Sequence, residues 1–335
     1  MIRKEIPVVA IAIILLCGLW AFAEIDAADE VTEAADRPAL AARPHRPLRF
    51  ICITTCINEP FFVPVEQGAK DAAALMDVEC EFIGTQAVDV PAQVQMVRNA
   101  IADGYDGIAI NVIDPKAFDG VIAQARQQEI PVIAFNINAQ PNSRLPTVAQ
   151  NLYDAGRKAA FVAAPLIAEG SHVLMNVHGG APTAMDARYH GIRDGLTDKD
   201  VIWETVVTGD GIPELEQAFA EHLRANPQTK VVFATGLPAT EAAGRAIEKN
   251  FRNKGYVIVG FDTSAEILRM VKTGTIAFTV DQQAYAQGFY PVMQLAMLKL
   301  HGIEPSNMDA GAKIVRAKDA TLLLGKGKQA RRDQQ

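Results

Sequence analysis

Side chains that could bind a polyhydroxylated molecule follow the predicted strands, and the stretch NEPFFVPVEQGAKDAA, starting at Asn58, is the densest example. It places Glu59 and Phe61 at the start of a predicted helix. Carboxylate and amide groups match vicinal hydroxyls, and an aromatic face can cover the C–H side of a ring. We therefore expect Phe61 to form a stacking platform at a cleft. Phe62 either shares that platform or belongs to the core, because it falls on the apolar face of the helix.

Signatures of common enzyme classes are absent from the sequence. It contains no G-x-S-x-G elbow, no GxxxxGK[ST] phosphate loop and no G-x-G-x-x-G after a strand. The six histidines lack H-x-x-x-H and HExxH spacing, so we expect neither a metal site nor a cofactor. His178, at a strand end, is most simply a hydrogen-bonded loop histidine. One alternative stays open: Glu59 and Asp262 could face each other across a cleft, as in an exported glycosidase.

A regular alternation of short apolar strands and amphipathic helices from Leu48 onward positions these residues. The predicted strands are LRFICITTC, CEFIGT, GIAIN and PVIAFN in the first half, and HVLMNVHG, VIWETVVTG, KVVFATG and YVIVGFD in the second. Helices are expected between them, for example over 213–225 and 239–251. This alternation predicts an α/β protein with two similar doubly wound parallel-sheet lobes.

The carboxyl ends of the strands in such sheets are where loops and helix N-termini converge on a ligand. Applied to this chain, that rule selects residues rich in amides, carboxylates and aromatic rings. In the first lobe they are Asn58, Glu59, Phe61, Asn111, Asn136 and Asn138, and in the second His178, Asp210, Thr235, Phe261 and Asp262.

The composition is that of a globular protein of two domains. The chain has 335 residues, of which 49% are hydrophobic, and a formal net charge of −7. A nucleic-acid-binding face would need a dense basic patch, so we expect no nucleic-acid partner.

The N-terminus predicts export. Residues 1–23 have the basic start, apolar run and small-x-small end of a signal peptide cleaved after Ala23, which indicates a periplasmic protein, and 24–46 form a flexible leader. An uncleaved membrane anchor is the alternative. Beyond this segment lie Cys52, Cys56 and Cys80. Cys52 and Cys80 fall in apolar strands and are expected to fill the core, with a bridge between them left open.

Several of these segments together resemble one family. NEPFFV, IVGFD, DQQAYAQG, the Gln150-Asn151…Gly156 segment and the Arg188…Gly191 segment occur in the order seen in periplasmic sugar-binding proteins of the ribose/galactose type, the receptors of ABC sugar importers. The resemblance covers nearly the whole chain from about residue 48. It implies a type I periplasmic binding protein fold with a three-strand hinge. The N-terminal lobe would comprise 47–150 and 283–309, and the C-terminal lobe 151–282 and 310–325.

The resemblance also implies a set of ligand contacts. Carried over position by position, they are Glu59, Phe61, Phe62, Asn111, Asn136, Gln150, Arg188, Asp262 and Gln282. Two departures bear on specificity: ribose binders have Asp-Arg where this chain has Asn136-Ile137, and Asn-Asp where it has Gly236-Leu237. The charged clamp on the ring is missing, which favours another neutral sugar or an open-chain polyol over ribose.

The expected partners follow from the same resemblance. They are a neutral sugar or polyol and an ABC permease in the inner membrane, with the binding protein itself a monomer. A role beside a chemoreceptor is an alternative. A sugar-responsive repressor would need a helix-turn-helix where this chain carries its apolar N-terminus.

Overall fold

The computed structural model describes residues 46–137, 145–178, 184–209 and 211–333. The predicted signal peptide and nearly all of the leader therefore lie outside the described residues. The strands are β1 (Arg49–Thr54), β2 (Glu79–Gly84), β3 (Gly107–Ile110), β4 (Val132–Asn136), β5 (Thr147–Ala149), β6 (Ser171–His178), β7 (Val201–Thr208), β8 (Thr229–Phe233), β9 (Val257–Phe261), β10 (Phe278–Asp281), β11 (Met308–Asp309) and β12 (Lys313–Val315).

Helices follow most of the strands. They are α1 (Phe62–Met76), α2 (Val90–Ala102), α3 (Pro115–Gln127), α4 (Leu152–Ala163), α5 (Ala184–Gly195), α6 (Ile212–Ala225), α7 (Leu237–Asn250), α8 (Ala265–Thr273), α9 (Ala284–His301) and α10 (Ala317–Asp333), with a short 3-10 turn over Ala164–Leu166.

The strands form two six-stranded sheets. The first has the order β11-β5-β4-β3-β1-β2 and the second the order β12-β10-β9-β8-β6-β7. Neighbouring strands are parallel throughout the first sheet. The second is parallel except for the antiparallel pairing of β12 with β10. Helices flank both sheets, so the predicted fold class, two α/β lobes built on parallel sheets, is confirmed.

Helix starts follow the local signals in the sequence. The Asp89 carboxylate accepts a hydrogen bond from the backbone N–H of Ala92 at 2.9 Å and caps α2, which has Pro91 in its first turn. Asp114 caps α3 in the same way, accepting from Lys116 N at 3.0 Å. Each cap satisfies N–H groups that have no partner within the helix.

Glycines allow one close helix pair in each lobe. A Cβ on Gly288 of α9 would lie 1.8 Å from the carbonyl oxygen of Val65 in α1, and a Cβ on Gly191 of α5 would lie 2.0 Å from that of Tyr153 in α4. Both positions therefore require glycine. The two pairs fix α9 and α5, which carry two buried side chains of the candidate site described below.

The chain passes between the sheets three times. It leaves the first sheet after β5 and enters α4, returns after β10 through residues 282–283 into α9, and crosses again between β11 and β12. Although α9 follows a strand of the second sheet, it packs on α1 and on β4 of the first. Residues 282–283 therefore connect the carboxyl end of β10 to a helix that packs on β4 of the first sheet.

The two strand cysteines are neighbours but not bonded. Cys52 and Cys80 are free thiols, with their sulfurs 3.8 Å apart. Among the residues the structure describes, none of the helices is long and apolar enough to span a membrane.

Candidate functional site

Amide side chains join the ends of two neighbouring strands in the first lobe. Asn111 follows β3 and Asn136 ends β4, and Asn111 Nδ2 donates to Asn136 Oδ1 at 2.8 Å. Asn136 has a left-handed backbone, with φ 67°, a conformation that asparagine tolerates better than most residues. Its Nδ2 donates to Gln287 Oε1 on α9 at 3.2 Å. The structure thus brings together two of the predicted binding residues, and it adds a third side chain that the sequence analysis did not select.

Asp262, directly after β9, is the corresponding polar group of the second lobe. Its side chain is buried, and its backbone, like that of Asn136, has a left-handed conformation, with φ 74°. Its carboxylate accepts a hydrogen bond from Gln282 Nε2 at 2.5 Å and one from the backbone N–H of Leu237, the first residue of α7. Burial raises the pKa of Asp262, and the positive charge of Arg188 opposes that shift. The Asp262 carboxylate is therefore a hydrogen-bond acceptor whose position is fixed by these two donors, one of them at a helix N-terminus.

Arg188, on α5, is a fully buried cation. Its Nη2 donates to Gln150 Oε1 at 2.8 Å, its Nη1 donates to the carbonyl oxygen of Thr235, and its guanidinium lies 4.0 Å from the centroid of the Phe261 ring. Burial lowers the pKa of Arg188 to about 10, against the attraction of Asp262. Gln150 in turn donates to the Gly311 carbonyl at 3.0 Å. Arg188 is thereby tied to the first and third crossings between the sheets.

Phe61 and Phe62 have different environments. Phe62 is 7% exposed and belongs to the core on one face of the first sheet. Phe61 is half-buried and lines a cavity of about 560 Å³ together with residues from both lobes. The cavity is bordered by Pro60, Phe61, Val63, Pro64, Leu237, Glu241, Arg245, Asp262, Thr263, Ser264, Ala265, Glu266, Asp281 and Ala284. Its size lies in the range of small-molecule sites.

The remaining predicted residues are less well supported by position. Glu59 is exposed on the loop before α1 and does not line this cavity. Asn138 and Asp210 lie outside the described residues, as does the side chain of His178. The pairing of Glu59 with Asp262 as catalytic carboxylates therefore gains no support from the geometry.

The sequence analysis missed several polar groups of this region. Gln287 and Gln93 are both fully buried, and Gln93 Nε2 donates to the Asn111 carbonyl at 2.7 Å. Each occupies an inward position of its helix where the pattern predicts an apolar residue, and that mismatch is the signal that could have identified them. Asn176, inside β6, accepts from Thr235 N at 2.9 Å and gave no comparable signal.

Two of the carboxylates at the cavity are paired with arginines. Glu241 accepts a hydrogen bond from Ser264 Oγ and pairs with Arg245 at 3.0 Å. Glu266 pairs with Arg269 at 2.9 Å. Over the described ranges, no group of three or more histidine, cysteine, aspartate or glutamate side chains could hold a metal ion. The arrangement provides hydrogen-bond donors, acceptors and an aromatic ring, which suits binding of a neutral polar molecule.

Comparison with known proteins gives consistent matches. A family model described as "Periplasmic binding protein domain" matches residues 50–302. The xylose/arabinose-binding protein XylF of Sulfolobus acidocaldarius is 27% identical over 288 residues, covering 81% of this chain and 71% of that protein. The ribose import binding protein RbsB of Bacillus subtilis is 26% identical over 233 residues, covering 68% and 73%.

Solved structures show the same fold. The arabinose-binding protein AraP of Geobacillus stearothermophilus superposes with a TM-score of 0.74 at 24% identity, over 82% of this chain and 99% of that chain. A sugar-binding protein of an ABC transporter from Bacillus halodurans gives a TM-score of 0.74, also at 24% identity and with the same coverage.

Proposed function

Because this chain belongs to the periplasmic binding protein family, whose members bind substrates for transport and are not enzymes, we propose that it delivers a neutral sugar or sugar alcohol to an ABC permease. The relatives named for xylose, arabinose and ribose support a sugar as the substrate class. A role beside a chemoreceptor has no observation of its own in its favour.

The observation that carries this proposal is the hydrogen-bond network that joins the two lobes at the carboxyl ends of their strands. Asn111 and Asn136 from the first sheet are connected through Gln287 and Gln282 to Asp262 after the second. Phe61 and Asp262 line the same cavity, and the amide network is hydrogen-bonded to Asp262. Together they offer amides and a carboxylate for hydroxyls and a ring for a C–H face. A sugar or polyol meets both demands.

Binding would work through lobe closure. The lobes proposed are 47–150 with 283–309 and 151–282 with 310–325, hinged at the three crossings. A sugar that contacts residues of both lobes binds the closed state more tightly than the open one and shifts the population toward it. The permease would then recognise the closed form.

The contacts proposed for the ligand are those selected by the strand-end rule and by the family resemblance. They are Glu59, Phe61, Phe62, Asn111, Asn136, Asn138, Gln150, Arg188, Asp262 and Gln282. Phe62 packs in the apolar core of the first lobe, and Glu59 is exposed and does not line the cavity, which makes these two the weakest members of the set. The protein would act as a periplasmic monomer after cleavage behind Ala23, which the mass of the secreted protein and light scattering would test.

A thermal-shift screen over pentoses, hexoses, their alcohols and cyclitols tests the function. A molecule that binds the native state alone raises the melting temperature by mass action. We expect a saturable shift with at least one neutral member, confirmed by calorimetry, and no product after prolonged incubation. A panel without any hit, or the accumulation of a product, would contradict the proposal.

A further inference from the structure

Gln287 lies where the amide network of the first lobe meets the segment that leads to the second. It sits one turn into α9 and is fully buried. Its Oε1 accepts from Asn136 Nδ2 at 3.2 Å, and its Nε2 donates to the carbonyl oxygen of Gln282 at 2.8 Å. The side chain of that same Gln282 holds Asp262. Gln287 thus contacts Asn136 of the first lobe directly and is connected through Gln282 to Asp262 of the second.

The backbone carbonyl of Gln282 determines which way every amide in this series points. A carbonyl can only accept, so Gln287 must present its NH2 group to it and its oxygen to Asn136. Asn136 must then present its NH2 group to Gln287 and its oxygen to Asn111. Asn111 must donate in turn, which leaves Asn111 Oδ1 as the acceptor at the end of the series.

That end is open. Asn111 Oδ1 is buried and accepts no hydrogen bond from any residue in the described part of the chain. A buried acceptor without a partner is costly, and a hydroxyl donated to it removes that cost. The orientation imposed at Gln282 is therefore transmitted over three side chains to a buried acceptor that has no partner among the described residues.

We propose that Gln287 is a positioning residue for sugar binding: it fixes the orientation of the Asn136 and Asn111 amides, so that the first lobe presents an acceptor to a ligand hydroxyl. This inference rests on the proposed function. Gln287 does not touch the sugar and acts through Asn136. Without it, both asparagine amides can rotate, and part of the binding energy is spent on ordering them.

The first test compares two glutamines on the same helix. Gln294 is also buried on α9, about two turns further on, and its Oε1 accepts from Ser306 N at 3.0 Å, away from the network. We expect Gln287→Leu to weaken the tightest binder among D-xylose, L-arabinose, D-ribose and D-allose by about tenfold or more, and Gln294→Leu by less than about threefold. Equal effects of the two substitutions on affinity would overturn the proposal.

The second test replaces the Gln287 amide with a carboxyl group whose hydrogen bonding depends on pH. In the variant Gln287→Glu, the neutral carboxyl can accept from Asn136 and donate to the Gln282 carbonyl, as the amide does. The ionised carboxylate can only accept, and it is repelled by that carbonyl. Burial raises the pKa of such a carboxyl toward neutrality, so the change of state falls within the range where the protein can be studied.

We therefore expect Gln287→Glu to bind within about threefold of the native affinity at pH 5 and at least about tenfold more weakly at pH 8. The neighbouring segments carry other ionisable groups, namely Asp262, Asp281 and Lys313. The unmutated protein has the same groups, so the pH dependence of its sugar affinity is the baseline. Gln294→Glu is the control for a buried carboxyl elsewhere on the helix. A pH profile of Gln287→Glu that matches the baseline would refute the assigned orientation.

A third measurement separates this inference from the proposed function. The side-chain NH2 resonances of Asn136, assigned with Asn136→Asp, report the network in the absence of sugar. We expect them to shift and to exchange faster with solvent in Gln287→Leu but not in Gln294→Leu. If neither these four sugars nor any other neutral sugar, sugar alcohol or cyclitol of the thermal-shift screen binds the unmutated protein, the proposed function fails. Unchanged Asn136 resonances in Gln287→Leu would instead overturn the positioning role itself.

Discussion

The rings of Phe61 and Phe62 meet edge to face, with centroids 5.3 Å apart and planes at 87°, but they belong to different parts of the molecule. Phe62 starts α1 and packs into the core beneath the first sheet, whereas Phe61 lines the cavity between the lobes. Consecutive residues point in different directions around the start of the helix, so neighbouring aromatic side chains can serve binding and stability separately.

The first prediction uses this pair as its own control. Phe61→Ala should weaken sugar binding by about 1 to 3 kcal/mol with little change in melting temperature, because the ring contributes contact area to the ligand. Phe62→Ala should instead destabilise the fold by about 3 to 5 kcal/mol, because it leaves a cavity in the core. Calorimetry and thermal melts of both variants provide the data. The prediction fails if Phe61→Ala melts far lower and binds normally.

The fold was readable from the sequence because its signals are local. The apolar stripe of α1, the caps at Asp89 and Asp114 and the run of short apolar strands each depend on residues a few positions apart. The short strands β5, β11 and β12 gave weak signals, since two or three residues cannot show a period. Their places in the sheets depend on tertiary pairing.

The candidate site was only partly readable. The strand-end rule selected Asn111, Asn136 and Asp262, because parallel strands bring such residues to one edge. It could not select Gln287, whose contacts join positions 151 residues apart in the chain. The sequence also could not assign Phe62 to the core, because a ring at the start of a helix can face either the core or the cleft. Only the packing of α1 on the first sheet decides between them.

The second prediction concerns the buried charge at Arg188. Arg188→Met removes the attraction that opposes the raised pKa of Asp262, so that pKa rises further. A carboxyl with a folded-state pKa above its unfolded value contributes stability below the unfolded pKa and loses it as pH rises. We expect the variant to lose about 3 kcal/mol of unfolding free energy near pH 8 and less near pH 4.

Arg193→Met is the matched control for this experiment, since Arg193 lies on the same helix but is exposed. Its unfolding free energy should change by less than about 0.5 kcal/mol at either pH. Urea titrations at several pH values measure both variants. A loss for Arg188→Met that is independent of pH would mean that Asp262 is not its electrostatic partner.

The third prediction concerns tryptophan fluorescence. Trp203 is the third residue of β7 and lies beneath Arg193, whose guanidinium is 5.5 Å from its ring. Trp20 falls in the predicted signal peptide. At about 3.3 Å per residue, Trp203 is roughly 17 Å from the carboxyl end of its strand, so saturating sugar should hardly change its emission. Phe61→Trp should add a band that does respond. A large quench in the unmutated protein would contradict the predicted location of the cleft.

The fourth prediction is that Cys52 and Cys80 remain thiols after export. Cys80 pairs in register with Phe50 and Cys52 with Phe82, so the two cysteines are offset by two residues. Such diagonal neighbours have Cα atoms about 7 to 8 Å apart, beyond the usual span of a disulfide. The hydrogen bond from Cys80 and burial raise the pKa of Cys52 and disfavour its thiolate. Mass spectrometry of protein alkylated in denaturant without a reductant should find both residues modified. Two unmodified cysteines, with a mass two hydrogens below that of the reduced pair, would disprove this.

The last prediction concerns the charge of the ligand. At the carboxyl end of β4 this chain has Asn136 and Ile137, and neither side chain can neutralise an anion. Arg188 already donates to Gln150 and to the Thr235 carbonyl, and its charge is opposed by that of Asp262. An anionic ligand would therefore be buried against the Asp262 carboxylate. Like-charge repulsion and desolvation then act together, and each costs binding energy.

We therefore expect neutral sugars to bind at least about a hundredfold more tightly than their uronic acids or phosphates, for example D-ribose over D-ribose 5-phosphate. Arg245 also lines the cavity and could attract an anion, but its ion pair with Glu241 neutralises its charge. Glu241→Gln should release its charge and reduce the discrimination. Calorimetric titration of each matched pair on both proteins gives the ratio. An anion that binds the unmutated protein as tightly as its neutral partner would mean that Arg188 or Arg245 attracts it more strongly than Asp262 repels it.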